Sequence, residues 1–380
     1  MRHSRHHSRG LSRFEVVALL VVAAACIATA LPIQNTIGGK RMRLQSMNNL
    51  VQQQTIHAMY AADWNQRQFT AVPDDLGAFG GDCAAWEAAH GKTIPGLVLG
   101  DDCDGTPIGF YGCENANARM PITLDFPNDN LNFASYYRTA GAYRFPNAAA
   151  LTAYGNGRYY DRMFWAPDDP WMKRGASQYF GGDCGFEFSQ DDPEPIGASS
   201  YILSPAAMWH PDVFGIEDPT TGESSFWNDP REFDESFASP YVTQCVYPEL
   251  KTRIMEHVTV EVNLPKGMFP GFNPGIDGSN RRNPAPCLFN QSTKGRPLAL
   301  FFDGSVRILS PIEVYDGDSY VKRLSGNSGA SLSSRLGGWS NDGEYFRSSA
   351  VDQDFENWSN HHVFTRYGIK GRDTLRSNDS

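Results

Sequence analysis

The chain has 380 residues, 41% hydrophobic and 20% charged, a balance that excludes a wholly disordered chain and a collagen-like repeat. Its net charge of −10 argues against nucleic acid as a partner. With 36 Gly and 24 Pro, it reads as a loop-rich fold of short strands rather than a helical bundle.

Residues 1–10, MRHSRHHSRG, form a basic leader with no core-forming side chain. Sixteen uncharged residues run from Val16 to Leu31. With Leu11 to Glu15 they make 21 residues, about 31 Å of helix, enough to cross a bilayer once. The predicted organisation is therefore a leader (1–10), a transmembrane helix (11–31), a juxtamembrane extension of that helix (32–68) and an extracytoplasmic body (69–380). The basic leader puts the N-terminus in the cytoplasm by the positive-inside tendency, against which stand Lys40, Arg41 and Arg43. Two plainer readings stay open. One is a cleaved signal peptide, for which Ala28-Thr29-Ala30 offers a cut site; the other is a simple signal anchor. Glu15 speaks for something more specific, since a carboxylate at mid-bilayer costs about 2.5–3.5 kcal/mol.

Arg9-Gly10-Leu11-Ser12-Arg13-Phe14-Glu15, directly before the apolar run, resembles the class III signal of type IV pilins and type II secretion pseudopilins. The resemblance implies that a prepilin peptidase cuts between Gly10 and Leu11 and methylates the new amine. It also implies that Glu15 pairs with the amine of a neighbouring subunit. Arg13 departs from the pattern, where the family is apolar. The function implied is structural and not enzymatic: a pseudopilin-like subunit of a type II secretion or type IV pilus-like apparatus. Its implied place is the inner membrane, single-pass, with the body periplasmic or extracellular. The implied partners are the peptidase, other pilin-like subunits through the helix, and membrane lipid. The alternatives are an anchored binding module and, third, an anchored hydrolase.

Past the apolar run, Ile33, Ile37, Leu44, Met47, Val51, Ala58 and Ala62 mostly recur every three or four positions. That spacing predicts a helix to about Trp64, its apolar stripe packed under the body or serving as a filament-packing face. In the body, strands are predicted at 200–203, 257–262 and 298–302, and a short helix at 247–256. Asp303-Gly304 between two apolar runs predicts a two-residue type I′ hairpin, with Val306 and Ile308 buried and Arg307 in solvent. The fold class is thus α+β, a long N-terminal transmembrane helix followed by a loop-rich, largely antiparallel β domain. The segments 200–209, 250–257, 300–309 and 368–374 are similar to a subgroup of large pseudopilin-like proteins. In much of that subgroup a His lies ten residues before the Asp-Gly; this chain has Thr293 there.

Seven cysteines are present. Cys26 lies in the apolar run. Cys83, Cys103, Cys113, Cys184, Cys245 and Cys287 are candidates for up to three disulfides, with free thiols or a metal site as alternatives. No cofactor is expected beyond a candidate Ca²⁺, for which Asp101, Asp102, Asp104, Asp316 and Asp318 are the acidic ligands, although the spacing is not an EF-hand. His210-Pro211-Asp212 and His361-His362 are the histidines a catalytic reading would use.

Overall fold

The computed structural model describes residues 39–101, 105, 107–110, 142–169, 180, 199–214, 232–256, 296–309 and 367–373. Residues 39–63 form helix α1. It ends where Asn65 and Gln66 adopt left-handed backbone angles (φ 53° and 66°), and the Gln66 amide turns back to the Ala61 carbonyl at 2.6 Å. Helix α2 (Cys83–His90) is capped at its start by the Asp82 carboxylate, which accepts from the amides of Ala84 and Ala85. At its end Gly91 takes φ 64°. A third helix, α3, is one turn long (Ala149–Thr152).

The described residues hold six strands: β1 (Leu97–Asp101), β2 (Pro107–Phe110), β3 (Tyr201–Leu203), β4 (Thr252–Glu256), β5 (Leu298–Phe301) and β6 (Val306–Ile308). Strands β1 and β2 make a separate antiparallel hairpin. The other four form an antiparallel sheet in the order β3-β4-β5-β6, with Ile202 opposite Met255, Ile254 opposite Leu300 and Leu300 opposite Val306. Every residue of β4 and β5 is buried. Around the sheet, Tyr143, Phe145, Phe164, Trp165, Trp209 and Phe237 are sealed from solvent. Large side chains of this kind contribute roughly 1.5–3 kcal/mol each when buried.

Several expectations need correction. Among the described residues no helix is long and apolar enough to cross a membrane. That overturns the predicted fold class with its long N-terminal transmembrane helix, and with it the single-pass placement in the inner membrane. The run 11–31, on which both rested, lies outside the described residues, as do Gly10, Leu11 and Glu15. The long helix that is described carries Lys40, Arg41, Arg43 and Asp63 and buries polar residues.

Residues 247–256 are not helical. A turn at 248–250 leads into β4, because Thr252 and Ile254 are β-branched and β4 has a pairing strand on each side. The segment 257–262 lies outside the described residues.

The Asp303-Gly304 hairpin forms, but as a longer loop. The Gly304 amide donates to the Phe301 carbonyl (3.0 Å) and the Phe301 amide to the Ser305 carbonyl (2.9 Å). Phe302 and Asp303 are therefore the central turn residues, and Gly304 alone takes positive φ (84°), a type I turn with a glycine bulge. The extra residue changes which side chains face inward. Ile308 is 43% exposed, Val306 and Arg307 are half-buried, and Leu309 is the buried one.

Candidate functional site

The side of α1 that meets the body mixes polar and apolar residues. Ser46, Asn49, Gln53 and His57 are all buried, interleaved with Leu50, Ile56 and Tyr60. The Asn49 amide donates to the carbonyls of Arg162 (3.2 Å) and Trp165 (3.1 Å) and to the Tyr201 hydroxyl (3.2 Å). The Tyr201 hydroxyl and Ser46 Oγ are 2.7 Å apart, and Ser46 Oγ donates to the Glu256 carboxylate. Since a carboxylate only accepts, the chain runs one way, from Asn49 through Tyr201 and Ser46 to Glu256. Glu256 also accepts the Leu298 amide at 2.8 Å, so the network reaches β5. Burial, and then the charge of Glu256, push the Tyr201 phenol pKa well above its ordinary value, which keeps it a neutral donor.

One turn further along, Gln53 donates to the Met163 carbonyl at 2.7 Å. Arg253 of β4 donates to Gln54 Oε1 (3.1 Å) and to the His57 carbonyl (3.3 Å), and its guanidinium lies 5.4 Å over the Phe302 ring. Burial lowers the Arg253 pKa to about 10, so it stays charged at neutral pH. The same burial, with Arg253 beside it, pushes His57 well below its ordinary value, so His57 is neutral there.

The opposite side of α1 mixes apolar residues with Asn48, Gln52 and Thr55. Val51 is 50% and Met59 47% exposed, and Ala58 and Ala62 are exposed with them. Of the predicted stripe, Leu44, Val51, Ala58 and Ala62 are exposed and Met47 is half-buried, while Ile33 and Ile37 lie outside the described residues. The signal that was missed is in the polar residues. Ser46, Asn49, Gln53 and His57 recur every three or four positions, which marks one helix face as surely as apolar residues do. Arg253, Glu256 and Tyr201 carried no local sign of their role.

The remaining candidates are dispersed. Asp303 is exposed; its Oδ1 accepts from the amide (2.8 Å) and hydroxyl (2.7 Å) of Ser305, and its Oδ2 lies 3.5 Å from Arg307. That is a turn-stabilising arrangement. Asp101 ends β1, exposed; Asp102, Asp104, Asp316 and Asp318 lie outside the described residues. Among the described residues no three metal-ligating side chains come together. Cys83 is disulfide-bonded. Cys245, counted among the disulfide candidates, is instead a half-buried free thiol whose pKa burial raises to about 12. Cys103, Cys113, Cys184 and Cys287 lie outside the described residues, as do His361 and His362. His210 stands 3.7 Å from Asp212 and 3.8 Å from Glu235, long separations to two well-exposed carboxylates.

No family model, no curated protein and no solved structure matches the chain.

Proposed function

We propose that the chain is a structural subunit of the pilin-like kind, assembling with similar subunits through the outward side of α1. The observation that carries this reading is the set of apolar side chains that the helix leaves exposed while it is anchored to the body by polar as well as apolar residues. It is fixed to the body by a directional polar network and turns Val51, Ala58, Met59 and Ala62 to the outside. A helix that only closed a core would leave polar residues alone on its outer side. Exposed apolar side chains that pack on nothing among the described residues are the usual mark of an interaction surface. The type of machine is that implied by the signal at 9–15, a type II secretion or type IV pilus-like apparatus.

The test is a double substitution, Val51→Asp with Met59→Asp, in the full chain. Both positions are solvent-exposed, so the thermal midpoint should hold within about 0.5 kcal/mol of stability. Self-association measured by sedimentation velocity should be lost. A wild-type chain that stays monomeric at high concentration, or a double variant that associates as well as wild type, would sink the proposal.

A further inference from the structure

Arg253 carries a positive charge into the body, and the groups that meet its guanidinium are neutral. It is 5% exposed. Its contacts are Gln54 Oε1 at 3.1 Å, the His57 carbonyl at 3.3 Å and the Phe302 ring, 5.4 Å away. Among the described residues no carboxylate pairs with it. The His57 imidazole beside it is neutral, and burial keeps the Cys245 thiol protonated. A buried guanidinium is ordinarily paired, because the cost of stripping its water is otherwise left uncompensated. Lys251, also fully buried, follows that rule, with Asp373 Oδ1 3.3 Å from its Nζ.

Two donors go unused at the same place. Arg253 Nε and Ser204 Oγ are buried and find no hydrogen-bond partner among the described residues. The Ser204 amide donates to the Arg253 carbonyl at 2.9 Å, so the two residues are direct neighbours across the strand pair, with Cα atoms about 5 Å apart. A water molecule there would satisfy donors and leave the charge unanswered; an oxyanion does both. Arg253 is the extra residue where the β4–β5 register shifts between Thr252 and Ile254, and such a bulge re-aims a side chain. Its guanidinium reaches the seam between α1 and the β5–β6 hairpin, where the half-buried Gln54 meets it. On the hairpin side Gly304 leaves room. A Cβ built on it would meet nothing nearer than Gln54 Nε2, at 3.9 Å. The Asp303 carboxylate is turned to Ser305 and Arg307.

We propose that Arg253, Ser204 and Gln54 form a binding site for a small oxyanion, a carboxylate or phosphate group, which enters along this seam by displacing the Gln54 carboxamide from the guanidinium. The planar fork of an arginine matches either group, and the Ser204 hydroxyl supplies a further donor. The bound anion answers the buried charge, so binding is read as added stability of the folded chain. The proposal is independent of what covers the outer side of α1.

The experiment follows the thermal midpoint of the full chain in sodium phosphate, sodium acetate and sodium chloride at constant pH and ionic strength. In phosphate, in acetate or in both, the wild-type midpoint should climb above its chloride value and saturate. A response to phosphate alone marks a phosphoryl ligand, to acetate alone a carboxylate ligand, and to both a site for the oxyanion itself. Ser204→Ala removes a hydroxyl that makes no hydrogen bond among the described residues. Its midpoint in chloride should match wild type, while the half-saturating anion concentration rises at least tenfold. Gln54→Glu sets a carboxylate against the guanidinium, so its midpoint in chloride should lie above wild type and respond to neither anion. A wild-type midpoint that is equal in the three salts, or that rises without saturating, would overturn the proposal. So would a Ser204→Ala chain that responds like wild type, or a Gln54→Glu chain less stable than wild type, which would mean that the charge is already answered. An unchanged anion response after Val51→Asp separates this result from the fate of the α1 surface.

Discussion

His57 sits on α1 with no access to water, and its imidazole stays neutral because burial, reinforced by Arg253, opposes the charged form. In the unfolded chain a histidine takes up its proton near pH ~6.5. The folded pKa is depressed, so the unfolded state binds the proton first as pH falls. The stability contributed by neutral His57 is therefore complete above about pH 6.5 and is lost progressively below it. Urea unfolding of wild type and His57→Gln across pH ~7 to ~4.5 should show a shallower loss for the variant; parallel curves would mean that His57 does not titrate on unfolding. Gly304 poses a conformational question rather than an electrostatic one. Its φ of 84° is one that β-branched residues resist, while the nearest atom to an added Cβ, Gln54 Nε2, is 3.9 Å away. Gly304→Val should cost about 1–3 kcal/mol and Gly304→Asn clearly less, with Asp303→Asn nearly silent because the amide oxygen still accepts from Ser305. Equal losses for Val and Asn at position 304 would point to crowding instead of backbone strain.

At the scale of the element, α1 tests how a polar seam holds a helix. Gln53→Ala removes the donor to the Met163 carbonyl and leaves that acceptor without this bond inside the protein. A loss of about 1–3 kcal/mol in thermal or chemical unfolding is expected, against under 0.5 kcal/mol for Val51→Ala on the exposed side. The reverse order would show that the apolar side does the holding. The same helix shows what the sequence made legible. Its extent to about residue 64 followed from spacing, as did the strands at 201–203 and 298–301 and a turn at Asp303-Gly304. The face it buries did not, because the buried donors meet carbonyls of 162–165 and side chains of β3 and β4 more than a hundred residues away. Local pattern carries no record of such partners. Strand β4 was misread for a related reason, since pairing to β3 and β5 outweighed the modest helical preference of its own residues. The turn count at 301–305 was missed because Asp-Gly suits both a two-residue loop and a bulged one.

For the whole molecule, processing is the property that the sequence suggests most directly. If the resemblance of residues 9–15 to a pilin signal reflects processing, a cut between Gly10 and Leu11 would make Leu11 the first mature residue, and intact-mass measurement should show loss of residues 1–10 and a methyl group on the new amine. A mature chain starting near Leu31 would replace this with ordinary secretion. Gly10 replaced by a bulky residue should leave the precursor uncut.

The division of labour on α1 also sets a temperature response. Contacts between apolar surfaces weaken on cooling, because near room temperature their driving force is entropic and carries a large heat-capacity change. Hydrogen bonds of the kind that fasten Asn49, Gln53 and Arg253 do not share that dependence. An assembly built on Val51 and Met59 should therefore come apart in the cold while each subunit keeps its helix in place. Chilling a preparation and following light scattering together with circular dichroism should show the first signal fall and the second stay level, and rewarming should restore the first.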